Sequence, residues 1–470
     1  MSFISPEFCY IALIFYLVYW SLKDFPIVQK TYLTACSYGF YATWSIKFTI
    51  ILFLFSLWIW WAGEWIKKPS SIERYKKLKL TTVISLSLSL LIMTKYYEFL
   101  RSSIDAALMI GGVHHKLPFI ELVVPAGVSF FSFQAITYLV WQSKESQEEF
   151  KNKNQLIEVL LYLAFWPTLF AGPIFRAKNF FSQLKGPDVG KVIYIEKAIY
   201  FILLGLFQKI VLANWLSTNF VDPVYSYPEN QNTVTVISGI WAYALQIFFD
   251  FSAYTLIVTG LGFLLGYQIP INFRQPYLAI NLQDFWKRWH ISLSTFIRDY
   301  IYVPLGGNQQ GFTKTQINIF IAMLLSGLWH GANTTFLIWG ALHAVGVIVS
   351  NINSRNSLVL LSEIYSRIFT LVFICIAWVF FRADNLEIAF SVLDHLRNIE
   401  GTFTQNHLVL IILSVIFFNL SQRADQLEIM VISWSKRHWG WKFFIAVTGI
   451  IFMIIDAGPN GVPAFIYYRF

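Results

Sequence analysis

The stretch Val234–Tyr267 constrains this chain more than any other feature, because it runs with a single charged side chain, Asp250. It exceeds the roughly 20 residues a helix needs to cross the hydrocarbon core of a bilayer. The runs Phe8–Leu22, Leu80–Thr94, Val192–Trp215, Ile317–Met323, Thr335–Ser350, Leu358–Phe381, Leu408–Leu420 and Phe443–Ile455 repeat the pattern. Sliding-window reasoning gives about 10 to 12 spans, some short or broken by Gly and Pro and therefore re-entrant or interfacial. Of 470 residues, 56% are hydrophobic and 13% charged, against about 25% charged in a soluble domain. That is too little polar surface to face water. Lipid removes the difficulty provided every backbone group bonds within a helix. The predicted fold is all-α, a polytopic transmembrane helical bundle.

The net charge of +9 would point to nucleic acid in a soluble protein. Here it marks loops on the cytoplasmic side, chiefly Lys67 to Lys79 and Lys144–Lys153, and no nucleic-acid partner is expected. The opening residues Met-Ser-Phe-Ile-Ser-Pro-Glu lack a basic leader, so Phe8–Leu22 is predicted to be a retained span. Cys9, Cys36 and Cys375 all sit in apolar runs, which is neither a disulfide framework nor a metal cluster. No metal and no bound cofactor are expected. The whole chain, 1–470, reads as a single membrane domain: N-terminal spans over 1–110, a core over 111–382, and C-terminal spans with a tail over 383–470.

Between Pro167 and His343, Gly, Pro, Asn, Trp, His and Arg crowd among the apolar runs. Polar groups at membrane depth are costly and tend to mark function. Read as one helix, Asp284–Tyr300 puts Trp286, Trp289, His290, Leu293 and Ile297 on one arc, with Lys287, Arg288, Thr295 and Arg298 on the other. The cations either face lipid phosphates, as on an interfacial helix, or grip the phosphates of an acyl donor. The following Pro304 and paired Gly306-Gly307 end the helix in a tight turn.

The second segment, Ser326–Asn333, carries His330 with glycines on both sides, and small residues there let backbone or ligand come close. A buried imidazole is neutral and can take a proton from a hydroxyl attacking a thioester. The alternative is a histidine bonded between helices with no chemistry. His343 falls about 220° round a helix from His330 and is not expected to share its site. Asp250 could pair with an arginine, orient a histidine, or make an interior polar contact. No Gly-x-Ser-x-Gly or His-Glu-x-x-His motif is present.

Asp284–Gly307, with Trp289-His290-Ile291-Ser292, and Gly327-Leu328-Trp329-His330-Gly331-Ala332-Asn333 together resemble the membrane-bound O-acyltransferases, in the bacterial branch that O-acetylates alginate and peptidoglycan. Ala171-Gly172-Pro173-Ile174-Phe175-Arg176, Asp250-Phe251-Ser252-Ala253-Tyr254, Asn272-Phe273 and Trp378–Asp384 support the likeness, which runs from Pro125 to the C-terminus. It implies helices around a funnel or tunnel in the bacterial cytoplasmic (inner) membrane. It implies an acyl-CoA donor, acetyl-CoA, on the cytoplasmic side, and a polysaccharide acceptor beyond, reached through an extracytoplasmic partner of the SGNH-hydrolase type. His330 matches the catalytic histidine and His290 the second histidine, which stands where other branches place Asn. Trp286, Trp289, Lys287, Arg288, Arg298, Asn333 and Asp250 are the expected substrate-binding residues.

The terminal Phe465-Ile466-Tyr467-Tyr468-Arg469-Phe470 reads as an aromatic belt anchor. It also resembles the terminal Phe-x-Tyr-x-x-Phe motif of a small protein that assists D-alanyl transfer, which implies Tyr467 as a transient acyl carrier, with Tyr468 beside it. The expected function is transfer of an acetyl group from a cytoplasmic thioester across the membrane. The rival readings are a transporter or flippase of lipid-linked sugars, whose histidines relay protons, and D-alanyl transfer to teichoic acid.

Overall fold

A backbone N–H or C=O in hydrocarbon has only the rest of the chain to bond to, so an apolar run closes on itself as a helix. The computed structural model follows this rule: among the described residues every regular element is helical. It describes residue 3 and residues 6–68, 72–113, 117–120, 122–144, 156–184, 194–356, 362–397 and 400–437. The chain divides into two compact units, Met1–Ala198 with Val258–Pro270, and Ile199–Ile257 with Ile271–Phe470.

The first unit opens with α1 (Pro6–Ser21), α2 (Pro26–Ala42) and α3 (Ile46–Lys67). Next come α4 (Glu73–Leu91), which continues through a π turn into α5 (Tyr97–Ile110), then α6 (Val128–Lys144), α7 (Leu156–Ala164) and α8 (Ala177–Leu184). At Gly63 the Tyr138 ring lies 2.6 Å from where a Cβ would stand, so α3 and α6 meet this closely because residue 63 has no side chain. Lys30 on α2 is ion-paired with Glu158 on α7 at 2.5 Å.

The chain continues through α9 (Ile195–Phe207), a π turn at Gln208–Ala213, α10 (Asn214–Leu216), α11 (Asp222–Ser226) and the long α12 (Thr233–Leu264). The last carbonyls of a helix lack intrahelical partners. In α12 they are met by α1, where Tyr16 Oη donates to Leu261 O at 2.8 Å and Trp20 Nε1 to Leu264 O at 2.9 Å. Tyr19 Oη donates to Leu265 O, just beyond, at 3.1 Å.

The second unit then adds α13 (Leu282–Arg288), α14 (Ile291–Ile297), α15 (Phe312–His330) and α16 (Thr334–Asn356), followed by α17 (Glu363–Arg382), α18 (Leu386–Asp394), α19 (Gln405–Gln422) and α20 (Ala424–Arg437).

Seven helical stretches among the described residues are long and apolar enough to cross a membrane: Ile46–Lys67, Glu73–Ile110, Ile195–Ser226, Thr233–Leu264, Thr334–Ser354, Glu363–Arg382 and Gln405–Gln422. The run Phe8–Leu22 forms the shorter α1, and Phe443–Ile455 lies outside the described residues. In α12 83% of the most apolar window is buried, against 17% in Glu73–Ile110. The run whose only charge is an acid, Asp250, is therefore the most enclosed of the seven. The chain is an all-α, multi-pass membrane protein.

Candidate active site

The helix expected across Asp284–Tyr300 is two helices with a corner between them. Asn281 caps α13 by accepting from Asp284 N at 2.8 Å, and α13 stops at Arg288. Trp289 is then extended, and His290 takes a left-handed backbone with φ 41°. The cause lies upstream. Asn272 O accepts from Ile291 N at 2.9 Å, Asn272 Oδ1 accepts from Ser292 N at 3.2 Å, and Arg274 N donates to Arg288 O at 2.9 Å. These bonds satisfy the first amides of α14 and the last turn of α13 from a neighbouring segment, in place of a continuous helix. A left-handed non-glycine residue costs about 1–2 kcal/mol and persists only where its surroundings over-determine it.

The corner decides what the aromatic residues touch. Trp289 stacks on Phe285 with centroids 5.6 Å apart and meets Phe273 and Trp378 at 5.0 Å each. His290 is fully buried, with its ring edge-on to Phe251 at 4.7 Å and 5.9 Å from Trp329. Outside the long apolar helices, burial pushes this imidazole down to about 3, so it is uncharged at neutral pH.

His330 is the last residue of α15 and is 3% exposed. Its ring lies 4.8 Å from Trp329, 4.9 Å from Phe381 and 5.1 Å from Trp339. Trp329 thus touches both His290 and His330 and brings the two sequence-predicted histidines together. The flanking glycines serve helix contact. A Cβ on Gly327 would stand 2.3 Å from Phe336 O, one on Gly331 2.3 Å from the Phe336 ring, and one on Gly340 2.8 Å from Met323 O. At Gly327 and Gly340 the close approach is of backbone to backbone, and at Gly331 it is of the Phe336 ring.

His343 corrects an expectation. No single helix runs through His330 and His343, because α15 ends at His330 and α16 begins at Thr334. Trp339 on α16 contacts both, 5.1 Å from the His330 ring and 4.7 Å from the His343 ring, so His343 belongs to the same aromatic cluster. Trp286 reaches His343 at 5.1 Å and Trp339 at 5.8 Å.

The remaining sequence-predicted residues scatter. Asp250 on α12 is paired with Lys209 of the π turn Gln208–Ala213, with side-chain exposures of 2% and 5%. Of the three readings of Asp250, an arginine pair, a histidine to orient or an interior polar contact, the described residues show the last, made with a lysine that the sequence analysis does not single out. Lys209, the one charge between Lys197 and Asp222, and the lone acid of another apolar run are the signal that could pair them. Asn333 Nδ2 donates to Asp384 O at 2.9 Å while its Oδ1 accepts from Thr335 N at 3.3 Å, which fastens the turn between α15 and α16. Arg288 pairs with Asp284 at 2.8 Å. Arg298 pairs with Asp299 at 2.7 Å, and that carboxylate raises the guanidinium above its ordinary value. Lys287 and Arg298 are exposed. Tyr467 lies outside the described residues, and no group of His, Cys, Asp and Glu suited to a metal ion occurs among them.

An uncharged imidazole walled by rings, beside a second one, is an arrangement suited to taking a proton from a hydroxyl as it attacks an acyl group. Comparison with known proteins gives that chemistry a setting. The profile of the membrane-bound O-acyltransferase family matches residues 31–390. A probable alginate O-acetylase, AlgI, of Pseudomonas putida is 32% identical over 391 residues, 83% of this chain and 79% of its own. A peptidoglycan O-acetyltransferase of Helicobacter pylori is 31% identical over 431 residues, 85% of this chain and 80% of its own. A teichoic acid D-alanyltransferase of Streptococcus thermophilus is 27% identical over 237 residues, 48% of this chain and 56% of its own. The matched span contains both histidines and the described rings that touch them, and the chain belongs to the membrane-bound O-acyltransferase family.

Proposed function

We propose that the protein is an O-acetyltransferase of the bacterial inner membrane. In this reading it takes an acetyl group from cytoplasmic acetyl-CoA and passes it to a hydroxyl on the far side, for O-acetylation of an extracytoplasmic polysaccharide. The observation that carries the reading is the pair of buried imidazoles, His290 and His330, that both meet the Trp329 ring. The alginate and peptidoglycan relatives support acetyl as the acyl group and polysaccharide as the final acceptor. Each covers over four-fifths of the chain, whereas the D-alanyltransferase covers 48%.

His330 acts as the base. It takes the proton of the acceptor hydroxyl as the oxygen attacks the thioester carbonyl, and the imidazolium returns that proton to the departing thiolate when the C–S bond breaks. His290 lies within the same ring cluster and lines the reaction space. Trp286, Trp289, Asn333 and the Lys209-paired Asp250 shape its surroundings, while the exposed Lys287 and Arg298, with Arg288, are suited to the donor's phosphates. The acceptor hydroxyl is that of Tyr467 in a covalent relay, and an extracytoplasmic partner of the SGNH-hydrolase type then moves the acetyl group to sugar.

The test is acetyl transfer from acetyl-CoA by the purified protein. His330→Ala is expected to lower it by about 10²–10⁴-fold, the span of general acid–base contributions. Full transfer by that variant would sink the proposal. Normal glycan acetylation by Tyr467→Phe would remove the relay and leave the rest standing.

A further inference from the structure

A row of buried hydrogen-bonding groups runs along one face of α16, past His330. Thr335, Trp339 and His343 follow one another at four-residue intervals, so they share a face and stand about 6 Å apart along the helix axis. All three are fully buried. Among the described residues, Thr335 Oγ1, Trp339 Nε1 and both ring nitrogens of His343 have no hydrogen-bond partner, and neither does Trp286 Nε1, which faces the same cluster. Each such atom carries a desolvation cost on the order of 1–3 kcal/mol when left without a partner. Phenylalanine or leucine would fill the same ring-lined space without that cost. The surroundings are aromatic: Phe285 stacks on His343 at 6.0 Å, and Trp286 and Trp339 meet it edge-on or tilted at 5.1 and 4.7 Å.

The chemistry of these groups selects what completes them. Indole N–H groups only donate, a neutral imidazole donates once and accepts once, and a hydroxyl does both. None of them carries a charge to neutralise a phosphate, and a hydrocarbon chain would leave all of them unbonded. An amide offers one carbonyl acceptor and one N–H donor, which fits an imidazole flanked by an indole. Position orders the row. Trp286 is half-buried and lies beside His343, Trp339 lies beside His330, and Thr335 closes the row at the far end.

We propose that this row binds the uncharged, amide-bearing arm of the acyl donor. The arm enters past Trp286, its amide nearest the sulfur bonds to His343, and its thioester carbonyl accepts from Trp339 Nε1 against His330. His343 is thus a substrate-binding residue for the reaction proposed above, and the inference rests on the reading that the donor is an acyl thioester.

The test uses the full-length protein and two small donors, S-acetyl-N-acetylcysteamine, which keeps the first amide, and S-ethyl thioacetate, which has the same thioester and no amide. The measured quantity is the ratio of their kcat/KM values. The unaltered protein is expected to favour the amide donor, chiefly through KM. His343→Phe is expected to lower that preference by about tenfold, the worth of one good hydrogen bond. His343→Gln, which retains a donor and an acceptor, is expected to keep part of it. Trp286→Phe keeps a ring at the mouth and loses only the N–H, so it reads the same ratio if His343→Phe does not fold. An unchanged ratio in His343→Phe and Trp286→Phe overturns the proposal. If the unaltered protein turns over neither small donor nor acetyl-CoA, the thioester reading itself fails and takes this inference with it.

Discussion

Two buried regions of the second unit handle polarity in opposite ways. In the region around α12, polar side chains find each other: Lys209 pairs with Asp250, and Ser252 Oγ donates to Gln208 Oε1. Around α13 and α16, Trp286, Trp339, Thr335 and His343 bury hydrogen-bonding atoms against rings and meet no protein partner among the described residues. Both regions carry the cost of taking polar groups out of water. In the first the protein repays it internally, so removing one member exposes the other. In the second the repayment comes from outside the chain, which is the arrangement expected of a surface built to receive a ligand rather than to hold helices together.

Three sets of substitutions break or sharpen that contrast. The largest effect is expected at the internal pair. Asp250→Leu leaves a buried ammonium without its carboxylate and should lower stability by about 3–5 kcal/mol, whereas Lys209→Met with Asp250→Leu should recover most of it. Thermal unfolding of the solubilised protein measures both, and a single variant as stable as the parent would end the claim that this pair is structural.

A smaller effect is expected where α15 crosses α16. Gly327→Ala puts a Cβ against Phe336 O, and the required shift should cost about 1–3 kcal/mol. Because His330 sits at the end of the same helix, acetyl transfer should fall by more than the stability loss explains. A loss of activity that merely tracks unfolding would contradict this.

The smallest effect concerns the corner. His290→Asn and His290→Ala both remove the ring, but Asn tolerates the left-handed backbone, so His290→Ala should be less stable by about 1 kcal/mol. Equal melting temperatures would mean that the backbone at residue 290 carries no strain.

The same contrast explains what could be read from the sequence. Val234–Tyr267 became α12 almost as read, because an apolar run with one charge has few other options in a membrane. The setting of His330 among glycines leaves a histidine merely bonded between helices open, and it is the resemblance of Gly327–Asn333 to a family motif that singles it out. The corner at Trp289–His290 was not legible, since neither glycine nor proline marks it and the bonds that make it come from Asn272 and Arg274. Lys209 was missed because its meaning depends on Asp250, on another helix. His343 was set aside because a periodicity carried across Gly331-Ala332-Asn333 assumed a helix that stops at His330. In each case a period read within one segment was blind to the segment packed against it.

The glycine crossing of α15 and α16 has a consequence for how such a protein can change. A contact between side chains yields by rotamer, but Gly327 and Gly340 set main chain against main chain, with little that can rotate out of the way. The height of His330 is therefore fixed by the part of the polypeptide that substitution alters least. Phe336 and Phe381, which meet its ring, do so through side chains, whose exchange leaves that main-chain contact in place. A descendant of this chain could acquire a new acyl preference by exchanging those rings while the proposed base stayed where it was.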